Sequence, residues 1–121
     1  MGVRKGPKPV PMGGNIVLFG SAEEVWFWYV RCQKARVDGA RFQKSAGETI
    51  RPCDPDDVYR VVNGLAKRRA LTRGHLAVLN IYGNFERPPD PRCHEEERPF
   101  QLWDEALERI EVVLKSKDIV Q

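Results

Sequence analysis

Apolar positions fall at helical spacing through most of the chain. From 55 to 69, Val58, Val61, Val62, Leu65 and Ala66 recur at i, i+3, i+4, i+7 and i+8, which is one buried helical face. Asp54 suits the N-cap, Pro55 the first helical position, and Asp56 and Asp57 the positive end of the dipole. The basic run Lys67-Arg68-Arg69 suits the other end, and Ala70-Leu71 makes a turn. Thr72 can cap a second helix over 73–82, with Leu76, Leu79 and Tyr82 turned inward and Val78 and Ile81 flanking them. Gly83 is placed to take the left-handed position that follows that helix. The pair reads as an antiparallel hairpin with the outline of a helix-turn-helix.

The clearest rhythm comes last. Trp103, Ala106, Leu107, Ile110, Val113 and Leu114 share one side of a helix over 99–117, and Asp104, Glu105, Glu108, Arg109, Glu111 and Lys115 share the other. Near the start, Ser21 and Glu24 spell a capping box for a helix over 22–35. That helix holds six apolar residues in a row, Val25, Trp26, Phe27, Trp28, Tyr29 and Val30. Such a run covers every side of a helix, so part of the aromatic area needs a cover from loops or from a second copy of the chain. Residues 16–19 form one short apolar run, either an edge strand or an extended segment docked on the core. Ile119-Val120 is an apolar tail that can fold back.

These elements predict an all-α fold: a small helical domain with a helix-turn-helix-like hairpin and a long C-terminal amphipathic helix. The expected core is Trp26, Val58, Val62, Leu65, Leu76, Leu79, Trp103, Leu107 and Ile110. A single domain over 15–121 follows a flexible basic tail over 1–14, where Arg4, Lys5 and Lys8 lie among prolines and glycines with no acid. The tail reads as a solubilising terminus or as an arm along phosphates. Residues 36–51 are a polar, net basic connector in which Phe42 is a packing peg. Prolines 88, 89, 91 and 99 exclude a helix from most of 84–99, a long connection of the kind that is functional or mobile.

Composition narrows the chemistry. The formal charge of +3 permits nucleic-acid binding without demanding it. Cys32, Cys53 and Cys93 are three and widely spaced, which is no disulfide framework and suggests a reducing cytoplasm. No apolar run is long enough for a membrane span or signal peptide, so no membrane partner is expected. Cys93-His94 offers one pair of zinc-ligand types where a tetrahedral site needs four ligands. No orienting third group turns Cys93 into a nucleophile, and no glycine-rich phosphate loop precedes a helix. The chain is therefore read as a non-enzyme with no cofactor and no metal.

Two basic groups remain as candidates for double-stranded DNA. Lys67, Arg68, Arg69, Arg73 and His75 surround the elbow of the hairpin, and Arg87, Arg92 and Arg98 sit in the proline-rich loop with Asn84. Arg73, His75, Ala77 and Asn80 are the base-facing candidates on the second helix. His75 can contact DNA or pack against the elbow. The resulting expectation is a cytoplasmic transcriptional regulator, dimeric through its aromatic N-terminal helix. The rival is a helical adaptor that binds protein and ignores nucleic acid.

From residue 51 onward the chain resembles a group of small alphaproteobacterial helical proteins. The stretches are Arg51-Pro52-Cys53, His75-Leu76-Ala77-Val78-Leu79, Tyr82-Gly83, Pro89-Asp90-Pro91-Arg92, Leu102-Trp103, Glu105-Ala106-Leu107-Glu108-Arg109-Ile110-Glu111 and Ile119-Val120. The resemblance implies a helical domain and carries no activity with it. The layout is also similar to the helix-turn-helix of sigma-factor region 4 and phage antitermination proteins. Those would place a reader helix after the Val78-Leu79-x-x-Tyr82 helix, but the connection over 84–99 is far longer than a helix-turn-helix turn.

Overall fold

The computed structural model describes residues 16–38 and 50–121. The basic tail and Phe42 lie outside the described residues. Four helices form in the expected order: α1 (Ala22–Val37), α2 (Pro55–Lys67), α3 (Arg73–Phe85) and α4 (Glu97–Ser116), with a single 3-10 turn over His94–Glu96 ahead of the last. The fold is all-α.

The helix starts are set by short polar caps. At α1 the Ser21 hydroxyl accepts from Glu24 N at 3.2 Å, while the Glu24 carboxylate accepts from Gly20 N at 2.8 Å. At α2 the Asp57 carboxylate accepts from Asp54 N at 2.9 Å. At α3 the box contains a histidine: Thr72 Oγ1 accepts from His75 N, and His75 Nδ1 accepts from Thr72 N at 3.0 Å. These bonds satisfy amides that the helices leave without an internal partner.

Three helices end alike, each with a non-glycine residue at positive φ. After α2, Arg69 (φ 62°) is followed by Ala70, whose N–H donates to Leu65 O at 2.9 Å. After α3, Glu86 (φ 57°) is followed by Arg87, which donates to Tyr82 O at 3.3 Å. After α4, Asp118 (φ 57°) is followed by Ile119, which donates to Leu114 O at 3.0 Å. All three are Schellman turns. Gly83 is therefore not the residue that stops α3. The helix runs on to Phe85, and Glu86 takes the left-handed conformation.

Gly83 has another task. A Cβ built there would stand 2.8 Å from Trp26 Nε1 and 2.9 Å from Val30 Cγ2, so its bare backbone lets α1 lie close against α3. The Trp26 indole N–H donates to Leu79 O at 2.8 Å across the same crossing.

α1 and α4 pack on each other, and both α2 and α3 pack on that pair. α2 and α3 make no close backbone approach to each other. The expected antiparallel hairpin is thus corrected: the two helices diverge from their elbow, because their apolar faces are buried on α1 and α4. Along α3 the buried set is His75, Val78, Leu79, Tyr82 and Gly83, while Ile81 is exposed. Val78 belongs to the core. Val62 and Leu76, expected inside, are only partly buried, and Val61 is buried instead.

Of the expected core, Trp26, Val58, Leu65, Leu79, Trp103, Leu107 and Ile110 are buried, and Phe19, Val25, Ala106 and Leu114 join them. The aromatic run of α1 finds its covers within the chain. Trp28 packs on Phe19 (5.1 Å between centroids), Phe27 on Trp103 (5.6 Å), and Trp26 stacks on Tyr29 (5.2 Å). None of these α1 rings is among the large exposed apolar residues; Phe27, Trp28 and Tyr29 remain partly buried. Phe19 is fully buried, and its segment makes two isolated parallel bridges, Ile16 with Ile50 and Phe19 with Val120. The tail folds back as expected, with Ile119 and Val120 buried.

Candidate nucleic-acid interface

The elbow between α2 and α3 is built from α4. Glu105 and Arg109 are one turn apart on α4, and both reach the elbow. His75 is 3% exposed. A backbone amide can only donate, so the bond from Thr72 N makes Nδ1 an acceptor and leaves the proton on Nε2. That Nε2–H donates to Glu105 Oε1 at 2.9 Å. The same contact, first among several, holds the Glu105 carboxyl below its ordinary value. Arg109 Nη1 donates to Ala70 O at 2.9 Å and fixes the turn from the other side. His75 therefore packs against the elbow and is not a DNA contact. Its burial follows from the helical phase it shares with Val78, Leu79 and Tyr82.

The other elbow residues are outside. Lys67, Arg68, Arg69 and Arg73 are all exposed, and among the described residues none forms an ion pair or a side-chain hydrogen bond. The loop arginines behave differently. Arg87 grips both oxygens of Glu96, at 2.9 and 3.0 Å, and its guanidinium lies over the Tyr82 ring. Glu96 also accepts from Asp90 N at 2.8 Å. Arg92 pairs with Asp90 at 3.2 Å, and Arg98 donates to Gln101 at 3.2 Å. With Pro89 buried beneath it, the proline-rich loop is a tied-down structure whose cations are already partnered. The sequence shows these arginines and their acids together but not which pairs form.

α3 presents an outward stripe to solvent. Arg73, Ala77, Asn80 and Asn84 are exposed at i, i+4, i+7 and i+11, with exposed Ile81 beside them. α3 contains no Asp or Glu at all. Asn84 Nδ2 donates to Asn80 O at 2.8 Å and to Asn80 Oδ1 at 3.1 Å, which orders the two amides against each other. The sequence reading named Arg73, Ala77, Asn80 and Asn84 but missed Ile81. It also missed Glu105 and Arg109. Their signal was the i, i+4 spacing of a carboxylate and a guanidinium on one face of the last helix.

Between α1, α2 and α3 lies an open groove of about 640 Å³, floored by Trp26 and Val30 and edged by Tyr59, Val62 and Leu76. His94 faces solvent beside Glu97, and the three cysteines form no disulfide with one another. No helix among the described residues is long and apolar enough to cross a membrane. No family model, curated protein or solved structure matches the chain.

Proposed function

We propose that this is a cytoplasmic, sequence-specific double-stranded DNA-binding protein, a transcriptional regulator that lays α3 in the major groove and grips phosphates with its elbow. One observation carries this reading: the acid-free stripe of α3 is continuous with four exposed cations, Lys67, Arg68, Arg69 and Arg73, that have no partner among the described residues. Elsewhere among the described residues, exposed cations are interspersed with acids. The outward face of α4 carries Glu97, Asp104, Glu105 and Glu108 beside Arg98, Arg109 and Lys115, and that of α2 carries Asp56 beside Arg60, whereas α3 has no acid to offset its cation. The loop cations Arg87 and Arg92 are spent on Glu96 and Asp90, which favours the elbow over the loop as the phosphate contact.

The test is a salt titration of duplex binding by fluorescence anisotropy. The logarithm of affinity is expected to fall linearly with log salt, by about 0.9 per phosphate contacted. Arg68→Ala with Arg69→Ala should weaken binding to all sequences alike and flatten that slope by up to about two units. Arg92→Ala should leave the slope unchanged. The second reading, a helical adaptor, is favoured by the groove beside Tyr59, a ring left 54% exposed. No measurable duplex binding at low salt would remove the DNA reading in its favour.

A further inference from the structure

The composition of the α3 stripe goes beyond a general affinity for DNA. We propose that it selects a short major-groove site of consecutive A·T pairs, closed by a G·C pair at the end met by Arg73. This rests on the DNA-binding reading above. From Arg73 to Asn84 the helix rises roughly 16 Å at 1.5 Å per residue, the span of about five base pairs. Each exposed side chain on that span has a chemistry that matches one base edge.

Arg73 has no partner among the described residues, and its planar fork matches the O6 and N7 acceptors of guanine. Asn80 and Asn84 come next along the stripe. Their mutual bond uses Asn84 Nδ2 and Asn80 Oδ1. It leaves a donor on Asn80 and an acceptor on Asn84. That pairing complements adenine, which offers N7 as acceptor and N6–H as donor. Ala77 and Ile81, the latter 45% exposed, supply the apolar surface that a thymine methyl packs against. Cytosine is read by a carboxylate accepting from its N4 amine, and α3 carries no carboxylate. The paired donor and acceptor of Asn80 and Asn84, with the apolar Ala77 and Ile81, therefore favour A·T pairs along the stripe, and Arg73 favours guanine at its end.

The experiment uses the full chain and a randomised duplex library, followed by anisotropy on the selected duplex. The expected motif is a run of A·T pairs with one terminal G·C. Replacing thymidine by deoxyuridine in that run removes the C5 methyl groups and should cost about fourfold per contacted methyl. Replacing adenine by 7-deazaadenine, or Asn80 by Ala, should each cost about five- to 150-fold on the selected duplex. Asn80→Ala should cost far less on a G·C-rich control. Asn80 is an exposed helical position, and a circular dichroism melt verifies that the variant folds. Duplex binding that selects G·C-rich sequence, or that is indifferent to deoxyuridine, 7-deazaadenine and Asn80→Ala, would overturn this assignment while leaving DNA binding intact. Absence of any duplex binding would overturn both.

Discussion

Gly83 and Gly64 are both inside helices, yet they should answer the same substitution with opposite signs. At Gly64 nothing lies within 4 Å of a built Cβ. Gly64→Ala should then raise stability by about 0.5–1 kcal/mol, the helix-propensity difference alone. At Gly83 the added carbon meets the Trp26 indole nitrogen at 2.8 Å, a ring held in place by its bond to Leu79 O. Overpacking and loss of that buried hydrogen bond outweigh the propensity gain. Gly83→Ala should destabilise by about 1–3 kcal/mol in urea unfolding. Equal effects at the two sites would show that the α1–α3 crossing is looser than described. The sequence marks both glycines, but it assigns Gly83 to the end of a helix. Only the crossing partner, 57 positions upstream at Trp26, reveals why the residue must be small.

At the scale of the element, the helix beginnings were legible and the helix ends less so. Ser21, Asp54-Pro55 and Thr72 announce their helices because capping depends on side-chain oxygens two or three residues from the amides they satisfy. The ends use Arg69, Glu86 and Asp118 where glycine would be expected, so composition gives no sign of them. Each pays for a left-handed backbone that glycine adopts freely. Glu86→Gly and Asp118→Gly should each stabilise the fold by about 0.5–1 kcal/mol in thermal or urea unfolding, since relief of strain exceeds the extra chain entropy. The exposed Lys34–Glu86 pair, at 3.5 Å, is too weak to reverse that sign. The interface divides the same way. Exposure of Arg73, Ala77, Asn80 and Asn84 follows from helical phase, which the sequence carries. The divergence of α2 from α3 and the burial of His75 under Glu105 depend on α4, contacts the local pattern does not encode.

For the whole molecule, acid is the expected weak point. Glu96 is held below the ordinary carboxylate range chiefly by Arg87, Asp90 by its bonds with Arg92, and Glu105 by His75. A carboxyl whose pKa is depressed by folding contributes stability above its unfolded value and loses it as pH falls through the folded one. Melting temperature should thus be nearly flat from neutral pH to about 5 and drop below about 4. Glu96→Gln keeps an acceptor for Asp90 N but has no charge to titrate. Its melting curve should start lower at neutral pH and fall less steeply in acid. Parallel acid slopes for the two proteins would mean that the loop clamp contributes nothing to the pH dependence.

The pairing of Phe19 with Ile119, Val120 and Gln121 also orders events in time. Phe19 N donates to Ile119 O, and Gln121 N donates to Phe19 O, so the segment ahead of α1 is completed by residues about 100 positions later. At about 5–20 residues per second, α1 and its aromatic run exist for on the order of ten seconds before those partners are synthesised. Trp28, covered by Phe19 in the finished fold, has no settled surroundings during that interval. Long-range closure of this kind slows folding and exposes apolar surface while it is awaited. Until Ile119 to Gln121 have been synthesised, the segment ahead of α1 lacks the backbone partners that complete it.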